Sequence, residues 1–354
     1  RGRAYFSLGD YEKALNSWTT GINLSPQSGS LYALRAKAYA QLGKTDEALR
    51  DLENANSLAP NQPEILSDLG LIYLQTGEID KAIDTYDQAI EVSENEAVLY
   101  FRRANAKLQN GDRLGAIEDY SKSLALDDTN VDAYNNRGIT YMDLMELDKA
   151  QSDFQKALSM NPDYLLALIN SSVIYINYGD SQKAIDQLSH ALELSKDYPS
   201  VNNHLAQAYF QLGKFESAIN YWQTYLEYEP ESAITYDWIA RSYISLKTFK
   251  EALIYLDQGI QIDPTLVDLY YQKGLASLEL QQFSEAVTLF QKAIDANVNL
   301  DLAYFNSGIA YYKLGQKDQS IECFQQVVSL SENEELIQLA KNNLISLGGS
   351  IPTE

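Results

Sequence analysis

Residues 131–164 read VDAYNNRGITYMDLMELDKAQSDFQKALSMNPDY, and this stretch is one copy of a 34-residue pattern that fills most of the chain. The alanine at 150 recurs as an alanine at 14, 48, 82, 116, 184, 218, 252 and 286, and Ser320 takes the tenth place. No insertion interrupts the spacing. A fixed period of this length indicates a repeat protein in which each copy buries its apolar face against its neighbours.

Further positions recur when the repeated alanine is counted as position 20 of each copy. Position 8 is Gly, Ala or Ser in all ten copies, position 24 is Trp, Tyr, Phe or Leu, and position 11 is Tyr in eight of the ten. Position 32 is proline at 26, 60, 162, 230 and 264. With this numbering the full repeats begin at Gly29, Pro63, Ala97, Val131, Leu165, Pro199, Ala233, Val267 and Asp301.

The spacing within one copy predicts two helices. Positions 4, 7, 8 and 11 lie on one helical face, and positions 20, 24, 27 and 28 form a second stripe. Between them, position 15 is glycine at 9, 43, 77, 111, 179, 213 and 315, and glycine accepts the positive φ that ends a helix. Small residues at positions 8, 20 and 27 let the helices cross closely. We therefore expect an all-α fold of stacked antiparallel helix pairs.

This pattern resembles the tetratricopeptide repeat (TPR), whose signature has Gly or Ala at position 8, Tyr at 11, Ala at 20, an aromatic residue at 24 and Pro at 32. The resemblance covers residues 1 to about 334 and implies a right-handed α-solenoid. It predicts a partial first repeat with a shortened first helix at 1–28, nine full repeats at 29–334, a capping helix at 335–347 and a loose tail at 348–354. Leu336, Leu339, Ala340 and Leu344 are expected to face inward from the cap. Because residue 1 falls at position 7 of its repeat, we expect the natural chain to extend upstream.

The composition narrows the classes of function. The formal net charge is −22, and a surplus of acidic side chains disfavours binding to nucleic-acid phosphates. No apolar run reaches the length of a membrane-spanning helix, so we expect a soluble protein without membrane insertion. The residues themselves give no sign of a cellular location, and cytoplasmic is the default expectation.

The inventory of reactive side chains gives no support to a catalytic or cofactor site. The two histidines, His190 and His204, fall in different repeats, and Cys323 is the one cysteine. A metal site needs several converging His, Cys or carboxylate ligands. No glycine-rich phosphate-binding motif is present either. We expect no cofactor, no metal site and no enzymatic activity.

The resemblance suggests one specific site to look for: chaperone-binding members of the family hold a C-terminal carboxylate in a set of residues called the carboxylate clamp. That clamp needs Lys and Asn at positions 5 and 9, Asn at 6 of the next repeat, and Lys and Arg at 2 and 6 of the one after. Asn105 and Asn136 match two of these places. Phe101, Leu166 and Asn170 stand where the charged residues would be. We therefore expect no carboxylate clamp.

Arginine and aspartate occur together at two positions of the repeat. Among the full repeats, Arg at position 7 and Asp at position 23 are both present in three and both absent from the other six. These positions lie on the two facing helices of one repeat, and a guanidinium can bond a carboxylate through two parallel hydrogen bonds. The predicted structural ion pairs are Arg35–Asp51, Arg103–Asp119 and Arg137–Asp153.

A peptide groove is the remaining candidate site. The resemblance assigns its concave wall to positions 2, 5, 6, 9, 12 and 13 of the first helix, where most side chains are apolar or amide-bearing. Side-chain amides can donate to and accept from a peptide backbone while apolar neighbours exclude water. The candidate groove residues are Phe101, Asn105, Leu108, Asn135, Asn136, Ile139, Met142, Ile169, Asn170, Val173, Ile176, His204, Phe210, Trp238, Arg241, Tyr271, Asn306 and Tyr312.

Three classes of function fit these expectations. The first is a non-catalytic scaffold or adaptor that binds an extended peptide or a partner protein in the groove. The second is the regulatory or substrate-recruiting arm of a larger enzyme, or of a transport or assembly machine, lying upstream. The third is a self-associating structural module, and the sequence leaves the oligomeric state open.

Overall fold

The computed structural model describes residues 1–196, 198–298 and 300–352, and these residues form 21 α-helices and no β-strand. The chain divides into two compact units, which we call unit 1 (Arg1–Ile174) and unit 2 (Tyr175–Glu354). The division falls inside one helix, α11 (Leu165–Asn177). The sequence does not predict it, because the 34-residue spacing continues through this helix.

Unit 1 is a stack of helix pairs. From α1 to α10, consecutive helices of the chain pack against each other. We call the odd-numbered helix of each pair the first helix and the even-numbered one the second. First helices of neighbouring repeats also touch, as α5 and α7 do. The helices are α1 (Gly2–Ser7), α2 (Tyr11–Leu24), α3 (Gly29–Gln41), α4 (Thr45–Leu58), α5 (Pro63–Gln75), α6 (Ile79–Val92), α7 (Ala97–Gln109), α8 (Arg113–Leu126), α9 (Val131–Asp143), α10 (Leu147–Met160) and most of α11.

Unit 2 continues the same arrangement, and α15, α17 and α19 bring neighbouring first helices into contact. Its helices after α11 are α12 (Ser181–Leu194), α13 (Pro199–Gln211), α14 (Phe215–Leu226), α15 (Ala233–Ser245), α16 (Phe249–Ile262), α17 (Asp268–Glu279), α18 (Phe283–Asp295), α19 (Leu300–Lys313), α20 (Lys317–Leu330) and α21 (Glu334–Leu347). Across the residues that the structure describes, no helix is both long and apolar enough to cross a membrane.

The turn between the two helices of a repeat is left-handed even where glycine is missing. Gly77 and Gly111 have φ of 81° and 83°, as the glycine pattern predicts. Met145, Lys247 and Gln281 occupy the same place in their repeats with φ of 60°, 60° and 62°. A non-glycine residue in this region is strained by roughly 1–2 kcal/mol, because its Cβ approaches a backbone carbonyl. The geometry of the repeat therefore requires this conformation whichever residue is present.

The small residue at position 8 makes room for the large side chain at position 24. A Cβ on Gly138 would lie 2.6 Å from the ring of Phe154, and one on Gly274 would lie 2.6 Å from the ring of Phe290. Both rings are fully buried. The ring of the second helix thus lies directly on the backbone of the first, and this contact fixes the distance between the two helices.

The C-terminal region differs in two ways from the expectation. Leu339 in α21 is 46% exposed and does not face inward, although the other three predicted inward residues are buried. The residues after α21 are also not loose where the structure describes them. Gly348, with φ of 69°, turns the chain back, and Gln325 Nε2 then donates to the backbone and hydroxyl oxygens of Ser350 at 2.9 and 3.0 Å. The last two residues of the predicted tail, 353 and 354, lie outside the described residues.

Candidate functional site

Three arginines join the two helices of their own repeats in unit 1, and all three pairs expected from the sequence are present. In each pair, Nε and Nη2 of the arginine donate to the two carboxylate oxygens at distances of 2.6 to 2.8 Å. The pairs are Arg35–Asp51, Arg103–Asp119 and Arg137–Asp153. The three carboxylates are at most 5% exposed. Hydrogen bonds to Asp51 and Asp119 raise the pKa of Arg35 and Arg103 above the ordinary value for arginine.

Each of these arginines also reaches back to the second helix of the preceding repeat, a contact that the sequence reasoning missed. The acceptors of the Nη1 hydrogen bonds are Thr19 for Arg35 (3.2 Å), Asp87 for Arg103 (2.5 Å) and Ser121 for Arg137 (2.9 Å). Lys273 in unit 2 makes a comparable contact with Asp257 at 2.8 Å. The signal in the sequence is a polar residue sixteen places before the arginine. These cations therefore tie neighbouring repeats together and are not free for a ligand.

Four asparagines form a continuous hydrogen-bonded chain across three repeats of unit 1. Asn170 Nδ2 donates to Asn135 Oδ1 at 3.1 Å, and Asn135 Nδ2 donates to Asn136 Oδ1 at 3.3 Å. Asn136 Nδ2 in turn donates to Asn105 Oδ1 at 3.2 Å. The hydroxyl of Tyr120 donates to the same Asn105 oxygen at 2.5 Å and ends the chain. Because each amide holds the next, the orientation of these side chains is fixed before any ligand arrives.

This asparagine chain leaves two hydrogen-bonding groups for a ligand. Among the described residues, Asn105 Nδ2 and Asn170 Oδ1 have no hydrogen-bond partner, and neither atom belongs to the buried unpartnered ones. Solvent can therefore reach both atoms. The first is a donor and the second an acceptor, which together complement the carbonyl and N–H groups of a peptide backbone.

Half-buried apolar side chains stand next to the asparagines on the same first helices. Each lies three or four residues from an asparagine or from another member of the set, and such residues are neighbours on a helix surface. They are Phe101, Leu108, Ile139, Met142 and Val173. We call these five side chains and the asparagine chain the asparagine patch. It combines fixed amides with an apolar surround, the composition expected of a site for an extended peptide.

Four predicted groove residues are buried, and for them the prediction of a ligand contact is wrong. The exposed fractions are 1% for Asn135, 7% for Ile169, 6% for Ile176 and 6% for Tyr271. At Asn135 and Tyr271, position 5 contacts the first helix of the following repeat. Asn135 accepts its hydrogen bond from that helix, and the Tyr271 hydroxyl likewise accepts from Asn306 Nδ2 at 3.2 Å. Burial raises the pKa of Tyr271 to about 12.

Trp238 lies on the first helix α15 of unit 2 and contacts several other predicted groove residues or core rings. Its ring meets Phe210 edge-on at 5.1 Å and stacks on the fully buried Trp222 at 5.9 Å. The guanidinium carbon of Arg241 lies 5.3 Å from the same ring. Arg241 Nε also donates to Asp237 at 2.6 Å. Arg241, one of the predicted groove residues, is therefore held by its neighbours.

The other predicted residues of unit 2 differ in how far a ligand could reach them. Tyr312 is 56% exposed and Asn306 is half-buried. His204 is largely enclosed, and its Nδ1 has no hydrogen-bond partner in the described part of the chain. Burial lowers the pKa of His204 below the ordinary value, so its ring is neutral at neutral pH. Its surroundings are those of a packed side chain.

The described residues contain neither a metal-ligand cluster nor an exposed cysteine thiol. Within them, no group of three or more His, Cys, Asp or Glu side chains could hold a metal ion. Cys323 is 8% exposed, and burial raises the pKa of its thiol to about 12. A thiol in this state is protonated and unreactive at neutral pH.

Stacked helix pairs with an amide-rich and apolar first-helix face define a helical repeat protein of the α-solenoid class. Tetratricopeptide repeat families match residues 2–43, 39–103, 131–164, 178–236, 233–266, 267–297 and 301–334. The chain belongs to the tetratricopeptide repeat family, whose repeats form scaffolds for protein–protein interaction.

Solved structures of the same fold are similar over long stretches. A tetratricopeptide repeat protein from Parabacteroides merdae is 18% identical, covers 70% of this chain and 98% of its own, and has a TM-score of 0.51. The structure of pilF of Pseudomonas aeruginosa is 21% identical, covers 63% of this chain and 96% of its own, and has a TM-score of 0.50. YrrB, described as a TPR protein with an unusual peptide-binding site, is 18% identical, covers 52% of this chain and 95% of its own, and has a TM-score of 0.44. These likenesses concern the fold alone. A comparison with curated protein sequences gave no match.

Proposed function

We propose that the protein is a non-catalytic scaffold or adaptor that binds an extended segment of a partner protein at the asparagine patch of unit 1. The observation that carries this proposal is the pair of open hydrogen-bonding atoms, Asn105 Nδ2 and Asn170 Oδ1, at the two ends of the asparagine chain. A backbone that passes over the patch can give a carbonyl to the first atom and an N–H to the second.

The patch is suited to binding because its side chains are already ordered. Immobilising a flexible side chain on binding costs about 0.5–1.5 kcal/mol, and the internal hydrogen bonds of the asparagine chain remove most of that cost. The neighbouring Leu108, Ile139 and Val173 can cover a bound backbone and exclude water from its hydrogen bonds. Hydrogen bonds to a backbone do not depend on the ligand's side chains, so sequence preference would come from these apolar neighbours.

The charge of the chain favours a protein over a nucleic acid as the partner. A net charge of −22 repels a phosphate backbone, and Arg35, Arg103 and Arg137 are engaged in pairs that hold the repeats together. In unit 2, taken by itself, we propose a separate contact surface formed by the half-buried Phe210, Trp238 and Asn306 with the exposed Tyr312.

The test is capture of partner proteins from a native lysate by the wild-type chain and by Asn136→Ala/Asn170→Ala. The double variant breaks the asparagine chain at two of its links, and we expect it to retain less than a tenth of the captured partner. A matched control is Asn54→Ala/Asn220→Ala, which removes two exposed amides on the second helices α4 and α14. Equal capture by the wild type and a folded Asn136→Ala/Asn170→Ala variant would place the binding site elsewhere.

A further inference from the structure

Two adjoining depressions on the first-helix face of unit 1 lie outside the asparagine patch. One has a volume of about 200 Å³ and an apolar lining that includes Phe6, Leu71 and Ile72. The other has a volume of about 340 Å³ and is lined by Ile65 among others. Lys37 and Asp68 line both depressions, so this pair forms the ridge between them.

The ridge is an ion pair that solvent can reach. Lys37 Nζ lies 3.1 Å from Asp68 Oδ2, and the two side chains are 48% and 22% exposed. Arg102 Nη1 lies 3.8 Å from the other oxygen of Asp68 while donating to the backbone and hydroxyl oxygens of Ser67 at 3.1 and 2.8 Å. One carboxylate is therefore shared by two cations.

The local charge is positive, in contrast to the chain as a whole. The second depression is also lined by Arg3 and Glu64, and Arg3 has no ion-pair partner among the described residues. Arg3, Lys37 and Arg102 thus outnumber Glu64 and Asp68 around the two depressions. The chain otherwise carries a net charge of −22. An acidic group on a ligand is attracted to this region and repelled by most of the remaining surface.

We infer that these twin depressions bind an extended partner segment with two aliphatic side chains two residues apart and an acidic residue beside them. Side chains i and i+2 of an extended chain point the same way and are roughly 7 Å apart, so they can enter two adjoining depressions. The intervening backbone then crosses the ridge, where Lys37 Nζ can donate to a carbonyl and Asp68 can accept from an N–H. Arg3 is placed to meet the acidic side chain.

This inference rests on the proposed function, because both assign extended protein segments to the first-helix face. It uses residues that the asparagine patch does not contain, so the two can fail independently. A helical ligand is a poorer fit, because its same-face side chains are three or four residues apart and its backbone groups are already bonded within the helix.

The experiment uses three synthetic probes and the complete chain. The probe acetyl-Glu-Leu-Ser-Leu-Ser-amide carries the inferred spacing, acetyl-Glu-Ser-Leu-Leu-Ser-amide has the same composition with adjacent leucines, and acetyl-Lys-Leu-Ser-Leu-Ser-amide reverses the charge. Methyl NMR of Ala36 and Ala40, which line the smaller depression, reports binding there. We expect the first probe to shift both methyl signals and to bind at least tenfold more tightly than either of the others. No shift with the first probe, or equal affinity for all three, overturns the inference.

Two matched variants locate the bound probe. Leu71 is 38% exposed and lines the smaller depression, whereas Leu114 is 71% exposed at the start of α8. We expect Leu71→Ser to weaken binding of the first probe at least tenfold and Leu114→Ser to leave it unchanged, with both variants folded by circular dichroism. Asn136→Ala/Asn170→Ala should bind this probe as the wild type does. If that double variant loses the probe while Leu71→Ser keeps it, the probe occupies the asparagine patch, and the inference fails while the proposed function stands.

Discussion

Arg103 and Asp119 join the two helices of one repeat through hydrogen bonds of 2.7 and 2.6 Å between the guanidinium and the carboxylate. Lys107 lies 2.8 Å from the same carboxylate, which explains a lysine where eight of ten repeats have tyrosine. Arg35 has Tyr39 at the place of Lys107, with its guanidinium carbon 5.8 Å from that ring, and both arginines lie near a further tyrosine, Tyr32 at 5.6 Å or Tyr100 at 5.5 Å. The two pairs therefore differ in how many cations contact the buried carboxylate.

We predict that Arg35→Met destabilises the chain more than Arg103→Met does. Without Arg35, the nearly enclosed Asp51 has no cation in contact among the described residues, and such a loss costs about 3–5 kcal/mol. Without Arg103, Lys107 still neutralises Asp119, and the loss should be less than half as large. Urea unfolding followed by circular dichroism measures both. Equal losses would mean that Lys107 does not support Asp119, and Asp51→Asn should restore much of the stability lost in Arg35→Met.

We predict opposite effects for two lysine-to-glycine substitutions. Lys247 has φ of 60°, so Lys247→Gly should relieve strain and stabilise the chain by about 1 kcal/mol. Lys156 is exposed inside α10, where glycine should destabilise by about 1 kcal/mol. The urea midpoints of unfolding of the two variants, compared with that of the wild type, test both predictions. Destabilisation by Lys247→Gly would show that its side chain makes a contact worth more than the strain.

We predict that His204 contributes to the loss of stability in mild acid. Burial lowers its pKa from the ordinary value of 6.5, so below that pH the unfolded chain takes up a proton that the folded chain resists. The stability that the folded chain keeps with a neutral His204 is therefore fully present above pH 6.5, and the free energy of unfolding decreases as the pH falls below that value. Between about pH 7.5 and 5.5 the thermal midpoint of wild type should fall further than that of His204→Gln. His190→Gln is the control, and the idea fails if both histidine variants follow the wild type.

We predict that Gly138→Ala strains the crossing of α9 and α10. The added Cβ would lie 2.6 Å from the Phe154 ring, and overpacking of this kind costs roughly 1–3 kcal/mol. Phe154→Leu should remove part of the conflict, so the double variant should be more stable than the sum of the two single losses predicts. A double-mutant cycle measures this coupling, and strict additivity would contradict the proposed contact.

The repeat period made the helices predictable because its positions have fixed packing roles. First helices begin at Gly29, Pro63 and Ala97, where the spacing places the starts of the repeats. The Arg–Asp pairs could be found because both partners are present or absent together within one repeat. The third contact, such as that of Arg103 with Asp87, joins different repeats and leaves a weaker pattern, since its acceptor is Thr, Asp or Ser.

The candidate site was harder to predict because ligand contacts and repeat contacts use the same residue types. Asn135 and Asn136 are identical side chains on adjacent residues, yet Asn135 is 1% exposed and Asn136 is half-buried. Their mutual hydrogen bond, and those to Asn105 and Asn170, depend on the offset between neighbouring first helices. That offset is a property of the packed repeats. The twin depressions beside Lys37 and Asp68 depend on it in the same way.

The most direct test of the central claim is site-specific photo-crosslinking of a bound partner. A benzophenone side chain replaces Ile139 in the asparagine patch or, as the control, Ile254, which is 58% exposed on the second helix α16. We predict a crosslinked partner from position 139, much less from position 254, and loss of the product when Asn136→Ala/Asn170→Ala is added. Two results would contradict a binding site at the asparagine patch. One is crosslinking from position 254 that equals or exceeds that from position 139, and the other is crosslinking from position 139 that survives the asparagine substitutions.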